Sequence, residues 1–90
     1  ANMTTNLQSS ITIKIESVGA IERQLPQDLT VQCQIDSLVA DVLNEVIHSF
    51  PEAFKLLERC ACAIGEDIIS RQTRLTQDST LVLLSPVAGG

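Results

Sequence analysis

The chain has 90 residues, 44% hydrophobic and 19% charged, and its six basic and eleven acidic side chains give a formal net charge of −5. That balance describes one small globular domain and excludes a disordered chain. It also argues against nucleic-acid binding, because an acidic surface repels phosphates and Phe50 and Phe54 are the only aromatic rings available for stacking.

Residues 1–10 are polar and without periodicity, so a disordered tail is expected there, with Ala1-Asn2 ahead of Met3 as a possible cloning remnant. Ile11 to Glu16 then alternates apolar with polar, the pattern of a half-buried strand. Gly19 breaks it, and residues 19–24 form a connection. A second strand begins at about Pro26, with Leu29, Val31, Cys33 and Ile35 on alternate positions. Next comes the clearest helix. Ile35, Leu38, Val39, Val42, Leu43, Val46, Ile47 and Phe50 recur at helical spacing, with Asp36 or Ser37 as N-cap. Pro51 interrupts it, and a short second helix is expected over about 51–58, with Ser49 and Glu52 at capping-box spacing and Phe54 and Leu57 on its apolar side.

Cys60 to Ile64 reads as a buried strand of small residues, Gly65-Glu66-Asp67 as a turn and Ile68-Ile69 as the return strand. Residues 70–80 are turn-rich, anchored by Leu75. The last strand, Leu81 to Leu84, is apolar throughout and runs into Ser85-Pro86-Val87-Ala88-Gly89-Gly90. The element order implies an α+β domain: a mixed sheet with one main helix packed across it. A wholly apolar strand wants cover on both faces, yet a single main helix covers one. Either Leu81 and Leu83 or Val82 and Leu84 should then face outward as an apolar row for a partner. Alternatively, the 19–24 and 70–80 loops fold over that row.

Cys33, Cys60 and Cys62 have no disulfide-scaffold spacing and fit a reducing cytoplasm. With His48 they make four nominal metal ligands, but without a C-x-x-C pair they read as buried thiols, and no metal is expected. No apolar run reaches the length of a membrane span, and no signal sequence is read. Glu66 and Asp67 read as a solvated turn, Arg71 and Arg74 as surface charges. No Ser-His-Asp set or phosphate-binding glycine loop is present, so the chain is not expected to be catalytic alone.

From Ala63-Ile64-Gly65-Glu66 through Leu75 to Pro86-Val87-Ala88-Gly89-Gly90, and at His48-Ser49-Phe50-Pro51-Glu52, the sequence resembles the small subunits of molybdopterin synthase, the MoaD-type sulfur carriers. The resemblance implies a ubiquitin-like β-grasp domain over residues 11–90, with first and last strands parallel at the sheet centre and an extended Gly-Gly tail at 85–90. It implies that an E1-like adenylyltransferase activates the Gly90 carboxylate with ATP and that a sulfur donor protein converts it to a thiocarboxylate. Within a heterotetramer with the large subunit, which holds the active site, that sulfur passes to cyclic pyranopterin monophosphate in molybdenum cofactor biosynthesis. Gly90 is thus the reacting residue, and Leu83, Leu84, Ser85, Pro86, Val87, Ala88 and Gly89 are the expected partner-binding residues. No cofactor is expected on the chain itself. Ser85-Pro86 stands where such carriers commonly have two prolines, and Ile13, Ile15, Leu83 and Leu84 stand where they often have aromatics. The alternatives are a ubiquitin-like protein modifier, a carrier of another pathway such as thiamine biosynthesis, and a plain β-grasp binding module.

Overall fold

Isoleucines at every second position give the chain its first element. β-Branched side chains favour extended backbone, and at period two they project to one face. In the computed structural model, which describes residues 10–86, strand β1 spans Ser10–Val18 with Ile11, Ile13 and Ile15 all buried. Ser10, expected in the tail, therefore belongs to the sheet. The remainder of that tail and Val87–Gly90 lie outside the described residues.

Strand β2, Thr30–Gln34, runs antiparallel to β1 with Ile13 opposite Val31 and Ile11 opposite Cys33. It starts later than expected, since proline cannot donate to a ladder and pairing begins with the Ile15 N–H donating to Leu29 O at 2.9 Å. The 19–24 connection holds a 3-10 turn, Ala20–Arg23, that buries Ile21 completely.

Helix α1 spans Val39–Ser49, so neither Asp36 nor Ser37 caps it. Asp36 instead turns the chain with a φ of 74°, a left-handed conformation that aspartate tolerates better than most residues. Ser37–Leu38 forms a short strand, β3, and Ile35 is left 40% exposed rather than on the apolar stripe. The first N–H groups of a helix have no partner within it. Here Val39 and Ala40 donate to Thr73 O and Arg71 O at 3.0 and 2.9 Å, while the Asp41 carboxylate accepts from the Leu38 N–H at 2.9 Å. Val39, Val42, Leu43 and Val46 fill the core, and Ile47 and Phe50 pack against it.

Pro51 ends α1 as expected, but the next element is a 3-10 turn, Pro51–Ala53, leading into helix α2, Phe54–Arg59. No side chain caps either element, so the Ser49–Glu52 box does not form, and Pro51 itself occupies the first turn. Leu57 and Ala53 are buried, whereas Phe54 is 45% exposed and does not join the inner side of the helix. Strands β4, Ala61–Ile64, and β5, Asp67–Ile69, pair across Gly65-Glu66. Gly65 takes the positive φ (62°) that a type II′ turn demands at its first central position.

Strand β6, Arg74–Leu75, pairs with β3, and β7 spans Ser79–Leu84. The main sheet runs β2-β1-β7-β4-β5. Its middle strand, β7, is parallel to β1 and antiparallel to β4, the placement that its unbroken apolar run predicts.

Candidate functional site

The site is built around the last strand. Residues at i and i+2 of a strand share a face, and the one covered by α1 takes Leu81 and Leu83, both fully buried. Leu83, expected among the partner-binding residues, lies instead in the domain's own core, because its position in the register turns it toward the helix.

Val82 and Leu84 are half-buried on the opposite face. Register fixes their neighbours. Leu84 lies between Val18 on β1 and Ala61 on β4, while Val82 lies between Glu16 and Ala63, with Ile68 beyond. Val18 is 42% and Ile68 66% exposed, so the expected row is part of a wider apolar face. Both expected covering loops have engagements elsewhere. Residues 19–24 send Ile21 into the core, and residues 71–75 are engaged with α1 and β3. Val18, Ala61, Ala63 and Ile68 escape a reading of the sequence because the alternation in each of their strands reports the inner face. Val18 carries the one available signal, an apolar residue at an outer position of a strand whose other outer residues are polar.

At the end of β7 the chain is held rather than released. Ser85 donates its N–H to Val18 O at 3.0 Å, and its hydroxyl bonds both Val18 O and the Ile21 N–H. Pro86 is exposed, and the expected residues Val87, Ala88, Gly89 and Gly90 lie outside the described residues.

The remaining polar residues have local duties. Arg71, read from sequence as a surface charge, donates from Nη2 to Leu57 O and Cys60 O at 2.7 and 2.8 Å, capping the carboxyl end of α2. Arg74 does reach the surface, where it donates to Asp36 O at 3.3 Å. Cys60 and Cys62 are buried free thiols. Burial pushes both thiol pKa values up, the Cys62 neighbour adds to that of Cys60, and Arg71 pulls back on both. Cys33 is half-buried and also raised, mainly by burial. Among the described residues no three potential ligands converge on one point, and no helix is long and apolar enough to cross a membrane.

The architecture is similar to the crystal structure of SAMP1 from Haloferax volcanii, with a TM-score of 0.76 at 14% identity over 88% of this chain and 99% of that one. It is similar as well to a chain in the complex of subunits 1 and 2 of molybdopterin-converting factor from Helicobacter pylori 26695, with a TM-score of 0.59 at 21% identity over 89% of this chain and 100% of that one. No curated protein matches the sequence. The fold is the ubiquitin-like β-grasp, a five-stranded mixed sheet with one main and one short helix. A family model matches residues 15–90, and the chain belongs to the ThiS family.

Proposed function

We propose that this chain is the sulfur-carrying small subunit of molybdopterin synthase, with the Gly90 carboxylate as its reacting group. The observation that supports this reading is the central β1–β7 pair, which carries the C-terminal strand out to Pro86 beside an apolar face of Val18, Val82, Leu84 and Ile68. A carboxylate is a poor electrophile at neutral pH, so sulfur cannot attack it directly; the step needs a leaving group. An E1-like adenylyltransferase supplies one, joining the carboxylate to AMP from ATP with release of pyrophosphate. The sulfur nucleophile of a sulfur donor protein then displaces AMP, and cleavage of the donor–sulfur bond, by a reducing thiol where the donor is a persulfide, leaves a thiocarboxylate. In complex with the large subunit, that sulfur is transferred to cyclic pyranopterin monophosphate, and hydrolysis returns the carboxylate. The acids and bases for these steps belong to the partners. ATP is bound by the activating enzyme, and the chain holds no cofactor of its own.

The residues that follow Ser85 suit such use. Gly89 and Gly90 lack a Cβ, so a partner can close a narrow channel around their backbone. The open face gives the large subunit a place to seat, and the three free thiols suit a reducing cytoplasm. Intact-mass spectrometry of the chain co-expressed with its activating enzyme tests the proposal: replacing one terminal oxygen by sulfur adds about 16 Da, and the adenylate precedes it. A terminus that never changes mass sinks the carrier reading. Covalent adducts of Gly90 with lysines of other proteins would replace it with the modifier reading, and sulfur accepted only by a thiamine-pathway enzyme would move it to that branch.

A further inference from the structure

The sequence places Ser85 in a spacer, but the fold makes it a fastening. Its N–H and its hydroxyl both donate to Val18 O, at 3.0 and 2.8 Å, and its Oγ accepts from the Ile21 N–H at 3.1 Å. The last bond replaces a cap. Gly19 stands at the N-cap of the 3-10 turn Ala20–Arg23 and has no side-chain oxygen to offer its N–H groups. Nor could another residue stand there easily: a Cβ on Gly19 would lie 2.5 Å from Ser85 Oγ, and its φ is 93°. The Glu22 carboxylate closes the same turn by accepting the Gly19 N–H at 3.1 Å. The turn after β1 is therefore assembled around a hydroxyl from the far end of the chain.

We propose that Ser85 is a positioning residue, which fixes the point at which the C-terminal segment leaves the sheet. The inference rests on the reading of Gly90 as the reacting end. It shortens the arm to Pro86–Gly90, about 16 Å when extended. It also ties the arm's root to Val18, at the edge of the open apolar face. A partner seated on Val18 and Leu84 then meets the root at a fixed offset and has fewer residues to order on binding. Proline at position 85 would lack both the N–H and the hydroxyl that make this fastening.

The test uses the full chain, its activating enzyme and ATP, with Ser85→Ala and Ser85→Thr compared with the parent. Ser85→Ala is expected to raise the KM for the carrier about tenfold, equivalent to about 1.4 kcal/mol, with kcat held within about twofold because the threaded arm reaches the same bound state. Ser85→Thr, which keeps the hydroxyl, is expected to restore most of the loss. In Ser85→Ala, hydrogen exchange at the Ile21 amide should quicken about tenfold while a thermal melt still shows a folded protein. That readout requires no activity, and a structural defect alone would move the melt without splitting KM from kcat. Unchanged KM, unchanged Ile21 exchange, or a threonine variant no better than alanine would each overturn the proposal. A parent chain that is never adenylated overturns it too, by removing the reading of Gly90, and the exchange at Ile21 distinguishes that failure from the absence of the fastening.

Discussion

Alternate residues of β7 share a backbone and a composition but not an environment. Leu81 and Leu83 are fully buried beneath α1. Val82 and Leu84, one step along, look out beside Val18 and Ile68, and among the described residues no helix lies over them. Strand β4 follows the same alternation, with Cys62 turned inward and Ala61 and Ala63 beside Leu84 and Val82 on the other face, although the small Ala63 is itself buried among its neighbours there. Hydrophobicity alone does not separate the residues that fold a domain from those left for a partner. The element packed above them does, and among the described residues there is one main helix for two apolar faces.

Truncating one residue from each face is the strongest way to break this comparison. Leu83→Ala removes buried methyl groups and leaves a cavity, at a cost of about 2–5 kcal/mol, a large share of the stability of a 90-residue domain. Leu84→Ala uncovers groups that water already partly reaches, and its cost is expected to stay below about 1 kcal/mol. Urea unfolding of both variants checks the difference. Equal losses would mean that the outer face is as much a part of the core as the inner one.

A charge on the outer face sharpens it from the other side. Leu84→Asp places a carboxylate between Val18 and Ala61, where water can still solvate it in the free chain but not beneath a seated partner. The variant is expected to fold with a loss of about 1 kcal/mol and to bind the proposed large subunit at least about 30-fold more weakly, as for a central interface residue worth about 2 kcal/mol. Calorimetric titration against that subunit measures the change. Full-strength binding would remove Leu84 from the interface.

Most of the inward face is legible in the sequence, because period two in Ile11 to Ile15 and period 3.6 in Val39 to Val46 each report burial directly. Features that depend on residues far apart in the chain are not legible. Asp36 and Ser37 look like helix caps, yet the Thr73 and Arg71 carbonyls take the N–H groups those side chains would have satisfied. Arg71 looks like a solvated charge, yet it holds the end of α2 through the Leu57 and Cys60 carbonyls. Ser85 looks like part of a linker, and its partners, Val18 O at the end of β1 and the Ile21 N–H in the turn after it, lie 67 and 64 residues earlier. In all three cases, a hydrogen bond closed across the chain overrides a local propensity.

The smallest effect concerns the inward face of β4 and the residue that leads into it. Cys60 and Cys62 are 6% and 2% exposed, and burial is the main cause that raises their thiol pKa values from 9.0. Well below pH 9 both thiols are protonated whether the chain is folded or not, so they put almost no slope into stability there. Above it, the unfolded chain releases these protons while the folded chain keeps them. The unfolded state then binds fewer protons, and stability falls as pH rises toward the folded-state pKa, by at most about 1.4 kcal/mol per pH unit for each thiol. The urea midpoint of the reduced parent should therefore drop between pH 9 and 10 relative to a Cys60→Ala/Cys62→Ala variant, while the gap between the two proteins stays constant between pH 7 and 8. Using the variant as reference cancels the contribution of other groups that titrate in the same range. A gap that stayed constant to pH 10 would mean that the thiols reach solvent, and that β4 does not separate an inner from an outer face.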